Sequence, residues 1–136
     1  PGMEPEIFDH YIEKKFKGIV IAGTGLGHVA GSGDYEHTAK YSIFKKLQEL
    51  NENGIITVIS SQTIYGRVHP YVYTNLRKLS MESNCIFAED MHPETAYVKL
   101  GWVLGHTGKI DEVRKMMLTN YAGEIRERTD EDSFLY

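Results

Sequence analysis

Three short apolar runs, rich in β-branched residues, constrain the fold of this chain more than any other feature. They cover residues 19–22, 55–59 and 86–88, and helix-patterned segments separate them. Continuous apolar runs of this length are typical of strands buried on both faces of a parallel sheet. Parallel strands that alternate with helices require right-handed crossovers. The sequence therefore predicts an α/β fold, a three-layer, Rossmann-like arrangement with a small parallel sheet flanked by helices.

Five segments with helical spacing accompany these runs. They are predicted at residues 4–15, from about 38 to 50, at 73–81, from 93 onward and at about 110–120. The second is amphipathic, with an inner face that carries Ala39, Ile43, Leu47 and Leu50. The fourth begins at Pro93, a residue that favours the first helical position.

The start of the chain bears on its domain organisation. A length of 136 residues fits one domain. The chain opens with Pro1 and Gly2 and enters a helix at once, as though a preceding strand were missing. A sheet of three parallel strands is also thin for an independent fold. We therefore expect residues 1–136 to form a single domain that is a fragment of a longer chain and lacks the first strand of its sheet.

Charge and composition exclude several classes of protein. The formal net charge is −4, so clustered cations that could grip a nucleic-acid backbone unaided are not expected. No apolar run approaches the roughly 20 residues that cross a bilayer, which argues against a membrane protein. The single cysteine, Cys85, cannot form an internal disulfide. This cysteine usage suits the reducing cytoplasm, where we expect the protein to reside.

A glycine-rich loop follows the first predicted strand. Residues 25–30 formally match the dinucleotide-binding pattern with alanine in the last place. Residues 31–34 delay the next helix, however, and the next strand ends in Ser60 and Ser61 instead of the acid that would hold a ribose. These departures argue against NAD binding. Two alternatives remain open: a flexible loop that turns over the sheet edge, or a loop that lines a ligand cleft there.

No metal-binding pattern is present among the histidines. The chain has six, at positions 10, 28, 37, 69, 92 and 106, and their spacings match no metal motif. Surface or helix-end roles are expected for five of them. The glycine-lined loop would present His28 at the sheet edge, where either a structural hydrogen bond or a ligand contact is expected.

A nucleophile activated by a neighbouring base is not evident. Ser60 and Ser61 follow a strand but lack the sharp glycine-flanked turn that exposes a catalytic serine. Cys85 precedes an apolar run and is expected to be buried and unreactive. The residues alone therefore predict no catalytic residue, no metal and no bound cofactor within this chain.

Four charged residues are further candidates for a site. Glu89 and Asp90 precede the fourth helix, and we interpret them as capping groups that accept its first amide hydrogens. Arg67 and Lys99 are able to bind an anion, but a solvated position is the default expectation for each.

The segment at residues 17–29 resembles the start of the C-terminal domain of bacterial-type L-asparaginases. Its sequence is Lys-Gly-Ile-Val-Ile-Ala-Gly-Thr-Gly-Leu-Gly-His-Val. Three further stretches agree in order, at residues 60–73, 89–102 and 123–128, so the resemblance covers nearly the whole chain. The segment at residues 122–128, Ala-Gly-Glu-Ile-Arg-Glu-Arg, is most similar to the D-subunit family of archaeal glutamyl-tRNA(Gln) amidotransferases.

The resemblance implies an enzyme in the full-length protein and an inactive isolated chain. In this family, threonine nucleophiles, an aspartate and a lysine in the N-terminal domain of the same chain hydrolyse an amide side chain. Ammonia from glutamine then passes to the E-subunit of the amidotransferase, which uses ATP and Mg²⁺ to convert Glu-tRNA(Gln) to Gln-tRNA(Gln). The tRNA would be reached only through that complex.

The resemblance also implies a site at a dimer interface. In related dimers and tetramers the C-terminal domain leans over the pocket of the neighbouring protomer. The rim residues expected here are Gly25, Gly27, His28, Ser61, Gln62 and Tyr73, and His28 stands where some relatives have asparagine. Two alternatives to the amidotransferase remain: the same domain of a stand-alone type I L-asparaginase, and an independent Rossmann-like module that binds a small molecule.

Overall fold

The computed structural model describes residues 3–31, 40–129 and 131–133. Its elements in chain order are α1 (Ile7–Glu13), β1 (Gly18–Gly23), α2 (Phe44–Glu52), β2 (Ile56–Ser61), α3 (Thr74–Met81), β3 (Ile86–Phe87), α4 (Pro93–Leu104), α5 (Ile110–Met117) and a 3-10 turn (Glu131–Ser133). The strands form one parallel sheet in the order β1-β2-β3. The predicted α/β class and parallel sheet are confirmed.

Two apolar layers enclose the sheet. The odd-numbered side chains of the strands, such as Ile59 and Phe87, pack with α1, α2 and α3. The other face carries Val58 and Ile86, which pack with α4 and α5. The core of the second layer is supplied by Ala96, Leu100, Val103, Val113 and Met117. This division gives the three-layer arrangement that the alternating pattern predicts.

The two longer strands differ in burial. All six residues of β2 are buried, as expected for a central strand. In β1, Ile19, Val20 and Ile21 are only partly buried and Ala22 is exposed. The prediction of a strand buried on both faces is therefore correct for β2 and wrong for β1. Both β1 and β3 lie at edges of the described sheet, but β3 is buried and β1 is less covered by the described residues.

Several element boundaries differ from those predicted. Helix α2 begins at Phe44 with Ile43 at its N-terminal boundary, six residues later than expected; Ala39 lies outside the described residues, as does His37. Strand β2 continues through Ser60 and Ser61, which pair with the last residues of β1. These serines thus belong to the buried sheet and do not emerge from it as expected.

The N-terminus of α4 is not capped by the side chains that the sequence predicted. Its N-terminal boundary is His92, and no side chain caps it. The Glu89 carboxylate instead accepts from Arg67 Nη1 at 3.2 Å, and the Asp90 carboxylate accepts from the Arg126 amide at 3.1 Å. The interpretation of Glu89 and Asp90 as capping groups was therefore wrong. Among the described helices, none is both long and apolar enough to cross a membrane.

Candidate functional site

The glycine loop after β1 closes into a tight turn. The Thr24 amide donates to the His28 carbonyl at 2.9 Å, and the His28 amide donates to the Thr24 carbonyl at 2.8 Å. Inside this turn Gly25 has φ +51° and Gly27 has φ +102°, values that favour glycine. The chain turns back on itself at residues 24–28, so these residues do not open a helix whose N-terminus could receive a pyrophosphate.

Gly27 also brings the turn into direct contact with the core. A Cβ at this position would lie 2.9 Å from Cγ2 of Ile59 and 3.0 Å from the ring of Phe87. Real Cβ atoms do not approach other heavy atoms so closely, and both neighbours belong to the packed sheet. Glycine at this position is therefore required by packing as well as by backbone conformation.

The residues at the end of β2 hold the turn in place. Ser61 Oγ donates to the Gly25 carbonyl at 2.7 Å. The Gln62 amide donates to the Gly23 carbonyl, and Gln62 Nε2 donates to the Ala22 carbonyl, each at 2.8 Å. Four of the predicted rim residues, Gly25, Gly27, Ser61 and Gln62, thus form one hydrogen-bonded unit at the carboxyl edge of the sheet.

The other two predicted rim residues meet beside this unit. The imidazole of His28 lies 5.2 Å from the ring of Tyr73, measured between centroids, with 54° between the ring planes. Tyr73 stands at the N-terminal boundary of α3 and is about half exposed, at 55%. The structure thus brings all six predicted rim residues to the same edge. Their contact with a substrate stays a prediction.

A cavity of about 330 Å³ opens next to the turn. Its lining includes Gly23, Thr24, His28 and Gln62, with Met3 and Val29 on its apolar side. A space of this size at the carboxyl end of parallel strands is the usual position for ligands in open α/β sheets. The structure therefore favours the cleft-lining alternative for the glycine loop.

The segment between β2 and α3 exposes an apolar surface that was not predicted from the sequence. We call it the rim surface; it consists of Ile64, Tyr65, Tyr71, Val72 and Tyr73, which are all exposed. Exposed apolar side chains that form one contiguous patch are typical of interaction sites. The signal was present in the sequence as five large apolar residues in a stretch otherwise typical of a loop.

The hydroxyl and thiol groups near the sheet are engaged or buried. Ser60 Oγ donates to the Met91 carbonyl at 2.6 Å and is fully buried, and Ser61 Oγ donates to Gly25 as described. Cys85 is fully buried, as expected. Its burial raises the pKa of the thiol to about 12. Within residues 3–31, 40–129 and 131–133, no cluster of His, Cys, Asp and Glu side chains suits a metal ion.

Arg67 and Lys99 are both bound internally, so the expectation of solvated side chains was wrong. Arg67 donates to Glu89 and to the carbonyls of Arg126 and Glu127, the latter two at 2.6 and 3.2 Å. Lys99 is 7% exposed and donates to the Glu124 carboxylate and to the Thr119 carbonyl, both at 2.6 Å. The two cations therefore tie the segment after α5 to the body of the domain.

Comparison with known proteins places these features in context. Residues 1–117 match the family model described as the glutaminase/asparaginase C-terminal domain. The D-subunit of glutamyl-tRNA(Gln) amidotransferase from Pyrococcus abyssi is 50% identical over 135 residues, which are 99% of this chain and 28% of that protein. The protein of the same name from Thermococcus kodakarensis is 47% identical with the same coverage. The chain thus spans about 28% of the length of these curated relatives.

Solved structures share the fold. The thermostable L-asparaginase from Thermococcus kodakarensis has a TM-score of 0.79 and is 31% identical, with 94% of this chain and 36% of that chain covered. L-asparaginase I from Vibrio cholerae has a TM-score of 0.74, covers 93% of this chain and 35% of that chain, and is 24% identical, so that likeness concerns the fold alone.

Proposed function

Because this chain belongs to the glutaminase/asparaginase C-terminal domain family, we propose that it is the C-terminal domain of the glutamine-hydrolysing subunit of a glutamyl-tRNA(Gln) amidotransferase. The identity of 50% with the D-subunit of such an enzyme, along 99% of the chain, supports the proposal. The family match also argues against the alternative of an independent small-molecule-binding module.

We propose that this domain supplies the rim of the active site and the N-terminal domain of the same protein supplies the nucleophile. Amide hydrolysis needs a nucleophile, a base and oxyanion donors within hydrogen-bond reach of one another. In the described residues the hydroxyls of Ser60 and Ser61 donate to backbone carbonyls, and the Cys85 thiol is buried. The observation that carries the proposal is the convergence of the six rim residues on one cavity-bearing edge.

The rim surface is proposed to face the catalytic domain of a second copy in a homodimer. Its exposed side chains are mostly tyrosines and aliphatic residues, which are typical of the buried centre of protein interfaces. Tyr73 belongs to this surface and His28 lies beside the ring of Tyr73. Both would then reach the neighbouring pocket, with the imidazole as a hydrogen-bonding group.

The remaining parts of the reaction are assigned to the E-subunit of the amidotransferase. We propose that it receives the ammonia and uses ATP and Mg²⁺ to convert Glu-tRNA(Gln) to Gln-tRNA(Gln). The net charge of −4 is consistent with tRNA being bound through the complex and not by this domain. The complex would act in the cytoplasm.

The free edge of β1 is proposed to pair with one further strand from elsewhere in the full-length protein. Partly buried apolar side chains on an edge strand indicate that a neighbour completes the layer. A cavity of about 370 Å³ lies beside this edge, between Gly18 at the start of β1 and Tyr97 and Gly101 on α4. We propose that apolar side chains of the added strand fill this cavity.

The proposal is tested by comparing ammonia release from glutamine by the isolated chain and by the full-length protein. We expect none from the isolated chain, and we expect the full-length protein with the E-subunit, ATP and Glu-tRNA(Gln) to form Gln-tRNA(Gln). Ammonia release by the isolated chain at the rate of the full-length protein would refute the division of labour.

The second candidate is a stand-alone L-asparaginase. The fold likeness to the enzyme from Thermococcus kodakarensis, at 31% identity, favours it. Full-length protein that hydrolyses asparagine rapidly, and forms no Gln-tRNA(Gln) with the E-subunit, would select this candidate over the amidotransferase.

A further inference from the structure

The hydroxyl of Ser61, the last residue of β2, joins two separate segments at the carboxyl edge of the sheet. It donates to the Gly25 carbonyl at 2.7 Å, within the turn that ends at His28. It also lies 2.8 Å from the Thr63 hydroxyl and accepts from the Thr63 amide at 3.2 Å, at the start of the loop that leads to Tyr73. One side chain is therefore bonded to the segments that carry both rings of the rim.

The direction of these bonds follows from the chemistry of a serine hydroxyl, which has one hydrogen to donate and two lone pairs that accept. The Gly25 carbonyl can only accept, so the hydrogen of Ser61 goes to it and the Thr63 hydroxyl donates in the second bond. The lone pairs of Ser61 then accept from the hydroxyl and the amide of Thr63. Ser61 is also only 8% exposed, so its side chain has neither a free group nor free surface for a substrate.

A backbone bond joins the same two segments at a second point. The amide of His69, in the loop between β2 and α3, donates to the Leu26 carbonyl of the turn at 3.0 Å. Beyond these two connections, the imidazole of His28 and the ring of Tyr73 lie 5.2 Å apart. A substitution at Ser61 removes one of the connections, whereas a substitution at His69 would leave its amide in place.

We infer that Ser61 is a positioning residue for glutamine binding, which acts by fixing His28 and Tyr73 relative to each other. This inference rests on the proposed function, in which the two rings reach the pocket of the neighbouring protomer. A buried and fully bonded hydroxyl holds its neighbours in one arrangement before the substrate arrives, so that less ordering is needed on binding. The expected consequence is a tighter interaction with the substrate.

The test is the steady-state kinetics of glutamine hydrolysis by the full-length protein. Ser61→Ala is expected to raise KM about two- to tenfold, as the loss of one hydrogen bond would, with a smaller change in kcat. Gly25 is exposed, so its carbonyl can bond to water in this variant, and the melting temperature is expected to fall only slightly. Ser61→Thr keeps the hydroxyl on a side chain that suits a strand, and it is expected to retain most of the wild-type affinity.

The matched control is Ser60→Ala, one residue earlier on the same strand. The Ser60 hydroxyl also donates to a backbone carbonyl, that of Met91 at 2.6 Å, but neighbouring residues of a strand face opposite sides of the sheet. Ser60 is fully buried, so its replacement is expected to lower the melting temperature at least as far as Ser61→Ala does, with KM unchanged. This comparison separates a loss of stability from an effect on the rim.

A double variant shows whether Ser61 acts through the pair of rings. In a Tyr73→Ala protein, Ser61→Ala is expected to raise KM by a smaller factor than it does in the wild type, because the arrangement that it fixes is already lost. Equal factors in the two backgrounds would overturn the inference. A rise in KM for Ser60→Ala as large as that for Ser61→Ala would overturn it as well.

Failure of the proposed function gives a different result. Wild-type full-length protein that releases no ammonia from glutamine would refute that function, and this inference with it. If the wild type hydrolyses glutamine and KM responds to Tyr73→Ala but not to Ser61→Ala, the proposed function stands and the positioning role of Ser61 is refuted.

Discussion

The ammonium group of Lys99 lies 2.6 Å from the carboxylate of Glu124, and both side chains are nearly buried, at 6% and 14% exposed. They come from α4 and from the segment after α5, which are 25 residues apart in the chain. This ion pair links the irregular C-terminal segment to the helical layer, beside the contacts that Arg67 and Asp90 make with residues 126 and 127. It holds Glu124 and the residues before it against α4.

We expect removal of one partner of this pair to be costly. Lys99→Met leaves a buried carboxylate without its cation, and the expected loss of unfolding free energy is about 3–5 kcal/mol. The double variant Lys99→Met/Glu124→Leu removes both charges and is expected to be clearly more stable than Lys99→Met. Urea unfolding of all the variants measures the effect. If the loss of unfolding free energy in the double variant equals the sum of the losses in Lys99→Met and Glu124→Leu, the two side chains do not interact.

The same pair predicts a loss of stability in acid. Burial alone would favour the neutral carboxyl, but hydrogen bonds from Lys99 and from the amides of Ala122 and Tyr121 lower the pKa of Glu124 to about 2. The unfolded chain has the ordinary value of 4.5. Because the folded pKa is the lower one, this stabilisation is complete above about pH 4.5 and is lost as the pH falls towards 2.

Unfolding free energies measured between pH 6 and pH 2 test this point. The Glu124→Gln variant lacks the titrating group, so its stability is expected to fall less steeply than that of the wild type between pH 4.5 and pH 2. The comparison removes the contribution of the other carboxylates, which both proteins share. Parallel curves for the two proteins would rule out a depressed pKa at Glu124.

The order of helices and strands could be predicted from the sequence because each element has its own local pattern of apolar residues. The run at residues 55–59 is apolar at nearly every position, and β2 is buried at every position. The similar run in β1 is only partly buried because burial depends on neighbouring strands, which local pattern does not encode. The start of α2 was likewise misplaced, since no capping side chain marks Phe44.

The long-range polar contacts escaped prediction for a related reason. Lys99 stands on a helix face between apolar residues, but the sequence does not reveal that a carboxylate 25 positions later lies against it. Glu89 and Asp90 looked like capping groups because they precede a helix, and their true donors are Arg67 and the Arg126 amide. The six residues at the carboxyl edge of the sheet were predicted as rim residues from a resemblance to a known family, and their role there stays a prediction.

Gly27 is expected to tolerate no side chain. Gly27→Ala places a Cβ against Ile59 and Phe87 and forces a non-glycine residue to φ +102°, with an expected loss of more than about 2 kcal/mol. The matched control is Gly101→Ala on α4, where a Cβ meets no atom within 4 Å and the helix is expected to gain about 0.5–1 kcal/mol. If the melting temperatures of Gly27→Ala and Gly101→Ala shift in the same direction from that of the wild type, this account is contradicted.

Cys85 is expected to resist thiol reagents in the folded chain. The side chain is fully buried, and a pKa of about 12 leaves almost no thiolate at neutral pH. At pH 8 the rate at which Cys85 reacts with an aromatic disulfide reagent is expected to follow the rate of unfolding. In guanidinium, which unfolds the protein, one thiol per chain is expected to react at once. Full reaction of native protein within seconds would show that this cysteine is accessible.

The contact between His28 and Tyr73 is expected to act on substrate binding and not on folding. Tyr73 is half exposed, so Tyr73→Ala in the full-length protein is expected to leave the melting temperature nearly unchanged. Loss of a ring contact worth roughly 0.5–1.5 kcal/mol is expected to raise KM for glutamine about two- to tenfold, with a smaller change in kcat. Tyr73→Phe keeps the ring beside the imidazole and is expected to retain most of the affinity, and Met81→Ala serves as an exposed control on the same helix. If KM and kcat for glutamine are unchanged in Tyr73→Ala, Tyr73 at the carboxyl edge of the sheet does not contribute to substrate binding.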